Sequence, residues 1–327
     1  MESPSVRQDR IAGTLLGLAA GDALGAGYEF GPPLPADMPI AMIGGTAFGW
    51  EPGEWTDDTG MAVAIALAMR DARTHGVSTE DERLLDGIVA RWSEWANATK
   101  DIGNQTNAIF NASGMFRSHL PTAAHLRAEA TAFHERNGQS AGNGSLMRTA
   151  PVPLYTLDRT PDATAHLATA IGSLTHAENT ASEACVLWSL AIRHAIDTGT
   201  IDIQIGMPLL EHSRRDAWHG LIAVAETNTP CDFARNGWVV EALQAAWSAI
   251  VTTRADDQTN ATHLVHALES AVRGGRDTDT VAAIAGSLLG AAYGASAIPE
   301  EWTSIIHGWP GMDAADLTAL AHAITPS

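Results

Sequence analysis

Two short acidic stretches hold the residue types with the most evident chemistry. Trp55-Thr56-Asp57-Asp58-Thr59-Gly60 and Gly274-Gly275-Arg276-Asp277-Thr278-Asp279-Thr280 each gather carboxylates and hydroxyls in a loop beside glycine, and each runs straight into an apolar stretch. Hard oxygen donors at that density suit Mg²⁺ or Mn²⁺. An Asp-x-Asp pair before a helix also serves as an ordinary cap with solvated neighbours, and the later stretch alone favours that plainer reading. The earlier stretch shifts the balance. Adjacent Asp57 and Asp58 repel one another unless a cation or hydrogen bonds compensate them, and a cap uses only one carboxylate.

The elements that must position these loops carry a shared signature. Ile11 to Gly25 places Gly13, Gly17, Gly21 and Gly25 at four-residue spacing, and Val281 to Ala295 does the same with Gly286, Gly290 and Gly294. Each interior glycine costs a helix roughly 1 kcal/mol relative to alanine, so such rows need a packing reason. Close approach of another helix is that reason. The two striped helices are expected to pack together, which puts Tyr28-Glu29-Phe30 near the Asp277 loop. Gly31 to Gly53 contains Pro32, Pro33, Pro35, Pro39 and Pro52 and reads as a long ordered surface loop, of the kind that forms lids, with Glu29 at its start.

Between the acidic stretches, residues 81–97 form an amphipathic pattern with Leu84, Leu85, Ile88, Val89, Trp92 and Trp95 on one side. Asp101 lies in the polar turn that follows, as a site residue or a helix cap. Ser118 to Gln139 is polar, His-rich and weakly periodic. Gly142-Asn143-Gly144-Ser145 then gives a backbone nest suited to a phosphate, with Met147 and Arg148 beyond it. Arg148 either approaches that phosphate or braces the loop. His176 sits at a helix junction, as a ligand contact or a structural histidine. Helical patterns continue over 162–175, 178–198, 239–252, 262–273 and 314–324. No convincing alternating strand and no break in composition appear, so the expectation is an all-α fold with 1–327 as one domain.

Composition narrows the class further. The 327 residues include 19 basic and 38 acidic ones, a formal charge of -19 that argues against an extended grip on nucleic acid. Cys185 and Cys231 match no metal or redox spacing and are expected to be buried free thiols. Ile11 to Gly27 is the most membrane-like run, but it is glycine-rich and carries Asp22. With no signal-peptide pattern and no membrane-spanning run, a cytoplasmic protein is expected. The oligomeric state is left open.

These stretches together resemble the ADP-ribosylglycohydrolase family. The resemblance rests on Gly21-Asp22-Ala23-Leu24-Gly25 followed by Glu29, on Trp55 to Thr59, on Gly142 to Arg148, on Thr175-His176, and on Asp277 to Thr280 with its glycine-striped helix. It implies an orthogonal α-helical bundle with two divalent cations, Mg²⁺ or Mn²⁺, in a central cleft. The implied ligands are Thr56, Asp57, Asp58, Asp277, Asp279 and Thr280. Glu29 would lie on a movable loop over the scissile ribose, Gly142, Asn143, Gly144, Ser145 and Met147 would hold the diphosphate, His176 would lie near the ligand, and Asp101 matches a less fixed position. One departure stands out: many members carry glycine where this chain has Arg276.

The chemistry implied is hydrolysis of the glycosidic bond at the ribose anomeric carbon. Paired cations grip vicinal hydroxyls and poise a water, while a carboxylate, Glu29 or Asp58, handles the proton of an oxocarbenium-like step. The expected partner is an ADP-ribosylated protein, with arginine the leading acceptor, or an ADP-ribose-containing small molecule. Serine-linked and O-acetyl-ADP-ribose, or a modified base, remain alternatives, and acceptor choice is expected to lie in the walls at 31–54 and 118–141. A non-catalytic ADP-ribose-binding relative would have lost ligands, and all six are present. An isoprenoid synthase would carry its acids within helices and line its cavity with aromatics, whereas these acids precede the helices and aromatics make up 6%.

Overall fold

The computed structural model describes residues 4–45, 47–117, 120–255 and 258–326. Thr46, Ser118 and His119, within the expected acceptor walls, lie outside them. Among the described residues the chain forms α1 (Pro4–Gly25), α2 (Asp57–Thr74), α3 (Glu82–Ala96), α4 (Asn104–Ser113), α5 (Ala123–Asn137), α6 (Pro151–Tyr155), α7 (Pro161–Gly172), α8 (Asn179–Thr198), α9 (His212–Ala225), α10 (Val239–Thr252), α11 (Asn260–Arg273), α12 (Thr278–Tyr293), α13 (Glu300–Thr303) and α14 (Ala314–Ile324). Two-residue strands β1 (His307–Gly308) and β2 (Met312–Asp313) pair antiparallel ahead of α14. The fold is an all-α bundle.

Helix α12 is its axis, buried from Thr278 through Ala292. A helix that is apolar and buried all round belongs at the centre of a bundle. Helix α1 lies antiparallel along it, with Gly13 against Gly290 and Gly17 against Gly286. A methyl group added at Gly17 would collide with the Gly286 carbonyl oxygen, and one at Gly286 with that of Gly17. The stripes therefore exist to bring two backbones together. Trp188 of α8 ties onto the other side of α12 by donating to the Ile284 carbonyl at 3.1 Å.

This pairing carries the end of α1 to the start of α12, as the stripes imply. Gly25 abuts the backbone of Asp279, and Thr278 Oγ1 donates to the Gly25 carbonyl at 2.9 Å. The loop beyond α1 is latched in turn: Phe30 N donates to the Arg276 carbonyl at 2.5 Å, and Arg276 N donates to Gly31 at 2.7 Å.

Some expectations need correction. Residues 118–139, read only as polar and weakly periodic, contain α5, which buries just Ala123, Leu126 and Ala130 and is bounded by the Thr122 cap and left-handed Gly138. Helix α9 lies in a stretch without a strong helical pattern, and Trp218, Ile222 and Ala225 seat it. Cys185 is buried as expected, but Cys231 is exposed because it falls in a short surface turn after Pro230. No helix among the described residues is long and apolar enough to cross a membrane.

Candidate active site

The two acidic loops open their helices at the same place. Asp57 starts α2 and Asp277 immediately precedes α12, yet neither helix is capped by the side chain at its N-cap position, Thr56 or Asp277. The amides of Thr56 and Thr59 donate instead to the two oxygens of Asp22, at 2.9 Å each, from the facing helix α1. The plain capping reading therefore does not account for the aspartates. Their carboxylates remain for something else.

A cleft of about 500 Å³ opens above this floor. Glu29, Asp57, Asp101, Gly142, Asn143, Gly144, Met147, His176, Asp277 and Thr280 line it, together with Phe30 and Phe48. Thr56, Asp58 and Asp279 lie beneath, all buried. Carboxylate oxygens of Asp22, Asp58 and Asp279 lie within 4.8 Å of one another, as do those of Glu29, Asp277 and Asp279. Ser145 is the one candidate residue outside this arrangement: it is buried, does not line the cleft, and its hydroxyl has no hydrogen-bond partner.

The electrostatics of the floor are one-sided. Among the described residues no Lys, Arg or His pairs with any of these carboxylates. Burial, reinforced by Asp277, Asp57, Asp101 and Asp22, pushes Glu29 up to about 9. Burial, then Asp101, Asp22 and Asp277, pushes Asp57 up to about 8. Burial also drives Asp58 and Asp279 well above the usual carboxylate range and raises Asp277 and Asp101. Asp22 reaches about 6, its burial opposed by its hydrogen bonds to Thr59 and Thr56.

Bonding within the floor is incomplete. Thr56 Oγ1 lies 3.1 Å from Asp58 and 3.3 Å from Asp279, and a single hydroxyl proton cannot serve both. Asp58 Oδ1 is buried with no hydrogen-bond partner. A buried, unpartnered anionic oxygen is costly unless a cation compensates it. The oxygen-only donor set fits a hard divalent cation, with Asp22 holding the α2 loop from behind.

The remaining candidates are held by a polar frame. Asn143 Nδ2 donates to Asp277 Oδ2 at 2.7 Å and to the Asn236 carbonyl at 2.9 Å, so this side chain braces the acidic loop. Its backbone N–H donates to Gly237, which removes one donor from the nest expected at this turn. Arg148 is fully buried, 4.2 Å from the Trp92 ring centre, and braces the loop rather than reaching the cleft. His176 inserts against Gly142 and Gly144, where a β-carbon on either would crowd its ring.

Sequence reasoning gave no site role to Asp22, which it quoted only within a motif, or to Asn236, Gln105 and the Phe30–Phe48 pair. An acid within a glycine-striped apolar helix was a readable signal for Asp22. Asn236 Nδ2 donates to Gly275 at 3.0 Å, and Gln105 Nε2 to Ser140 and Thr175 at 2.9 and 2.8 Å. Those contacts join distant segments and leave no local pattern. Arg276 does not turn toward the acids; its guanidinium donates to the Gly274 carbonyl at 3.3 Å.

Known proteins share this arrangement of chain and fold. The family profile described as ADP-ribosylglycohydrolase matches residues 3–326. The chain is 29% identical over 307 residues to the ADP-ribosylarginine hydrolase Tri1 of Pseudomonas putida, covering 92% of this chain and 75% of the relative. It is 29% identical over 314 residues to the ADP-ribosyl-dinitrogen reductase glycohydrolase of Rhodospirillum rubrum, covering 93% and 92%. A solved structure titled ADP-ribosylglycohydrolase-related protein complex aligns at a TM-score of 0.69 with 28% identity, covering 98% of each chain.

Proposed function

The chain belongs to the ADP-ribosylglycohydrolase family, and from that premise we propose that it releases ADP-ribose from modified arginine side chains of a protein. The observation that carries this reading is the uncompensated floor of the cleft, where Asp58 keeps an oxygen buried and unpartnered. Thr56, Asp57, Asp58, Asp277, Asp279 and Thr280 would hold two divalent cations, Mg²⁺ or Mn²⁺. Bound there, they supply Lewis acidity toward the ribose hydroxyls and the attacking water. We also read 1–327 as one domain, since opposite ends of the chain furnish the two halves of the floor.

The chain's own groups do the rest. As the bond between the anomeric carbon and the guanidino nitrogen lengthens, positive charge grows on the ribose, and the surrounding carboxylates stabilise it. The water oxygen bonds to the anomeric carbon as the carbon–nitrogen bond breaks, the water gives up one proton, and the departing nitrogen takes one up. Glu29 lines the cleft, so it is the group we assign to the proton, taking it from the water and passing it to the nitrogen. Asp58 lies below the cleft surface and suits the floor. Asp101 also places a carboxylate on the cleft wall, which suits a guanidinium. His176 and the turn at Gly142, Asn143 and Gly144 would hold the diphosphate. The name of the Pseudomonas putida relative supports arginine as acceptor, and that of the Rhodospirillum rubrum relative supports a modified protein.

The test is release of ADP-ribose from an ADP-ribosylarginine protein with Mn²⁺ or Mg²⁺, with chelator, and for Asp277→Ala. Cation-dependent release that the substitution abolishes is expected. Release that survives chelation sinks the cation assignment. Silence on arginine with turnover of serine-linked or O-acetyl-ADP-ribose sinks the acceptor assignment.

A further inference from the structure

We propose that Arg148 and Thr175 are positioning residues that lock His176 as the tautomer protonated at Nε2, so that the cleft meets a fixed hydrogen-bond donor. The chain of bonds is short and buried. Arg148 Nη2 donates to Thr175 Oγ1 at 2.6 Å, and Thr175 Oγ1 lies 2.8 Å from His176 Nδ1. Arg148 and Thr175 are fully buried and His176 is 1% exposed.

Donor and acceptor counting fixes the protons. A guanidinium only donates, so Thr175 Oγ1 accepts from Arg148. The hydroxyl has one proton left to place, and His176 Nδ1 is the acceptor beside it among the described residues. Were Nδ1 protonated instead, the Thr175 proton would be stranded in a dry interior, which is the less stable arrangement. Nδ1 therefore accepts, and the proton of a neutral ring sits on Nε2. Burial, with Arg148 adding its repulsion, holds His176 far below the usual histidine range and keeps the ring neutral.

The second observation is where Nε2 faces. No described protein group hydrogen-bonds to it, while the ring lines the cleft beside Gly142 and Gly144. An N–H that reaches the lining of a cleft with no protein partner suits a ligand oxygen. On the ADP-ribose reading above, that oxygen belongs to the nucleoside diphosphate. The tautomer itself does not depend on that reading. Gln105 fixes the backbone of the relay by donating to the Thr175 carbonyl at 2.8 Å. Arg148 thus acts on the cleft without touching it, which gives a buried arginine lacking any carboxylate partner a role.

Histidine ¹⁵N spectra of the full chain, with His176 assigned through His176→Asn, read the tautomer directly. Wild type is expected to show neutral, Nε2-protonated His176 from about pH 6 to about pH 8. Thr175→Val should yield a mixture of tautomers and weaken ADP-ribose binding about tenfold, the value of one good hydrogen bond, while Thr175→Ser restores both. A charged or Nδ1-protonated His176 in wild type overturns the proposal, as does an unchanged tautomer in Thr175→Val. A locked tautomer without ADP-ribose binding would uphold the relay and count against the proposed substrate instead.

Discussion

A carboxylate taken out of water must find compensation, and residues a few ångströms apart here solve that problem differently. Asp22 finds it in the amides of Thr56 and Thr59. Asp58 leaves an oxygen without any. The strain at this site extends to the backbone, because Phe30, whose N–H donates to the Arg276 carbonyl, and Arg276 itself both adopt positive φ, at 61° and 65°. A non-glycine residue in that region carries a cost of order 1–3 kcal/mol. Arg276→Gly is expected to raise stability by about 1 kcal/mol, read as a higher urea midpoint at unchanged slope. The arginine's guanidinium makes a single part-buried hydrogen bond, 3.3 Å to the Gly274 carbonyl, and a lowered midpoint would count against the strain.

The pairing of α1 with α12 decides where the acidic loops stand, and it tolerates almost no added volume. Gly286→Ala would push a methyl group into the Gly17 carbonyl, and overpacking of this kind costs about 1–3 kcal/mol or more. Because α12 begins with the acidic loop, the expected outcome is joint loss: a lowered thermal midpoint and a weakened response to Mn²⁺. A variant with wild-type stability and cation response would show that the helices can separate freely. This part of the fold was readable because glycine at four-residue spacing is costly unless two backbones meet. Helices α5 and α9 were less readable because few buried side chains seat each of them. At the site, the paired acids, the glycine turn and His176 announced themselves by residue type. Asn236 and Gln105 did not, since an amide that bridges remote carbonyls looks in sequence like any surface amide. The roles of Ser145 and Arg148 depended on burial, which a motif does not encode.

Across the whole molecule, the acidic floor ties stability to pH and to cations. In the cation-free chain Glu29 rises from 4.5 to about 9, Asp57 from 3.8 to about 8 and Asp22 from 3.8 to about 6, with burial first among the causes for each. A raised carboxyl pKa means that the folded chain keeps protons which the unfolded chain releases. Stability from these groups is complete below about pH 4 and is lost as pH climbs through their folded values, up to about pH 9. The chelated protein is therefore expected to melt at progressively lower temperature from about pH 5 to about pH 8, opposite to the trend of a carboxylate held in an ion pair. Mn²⁺ or Mg²⁺ should raise the melting temperature strongly at the higher pH and weakly at the lower, where protons already neutralise the floor and compete for its oxygens. Melting curves across that range, with and without cation, check both halves of the expectation. A chelated protein that grows more stable toward about pH 8, or a cation effect independent of pH, would mean that the floor is compensated by the chain itself.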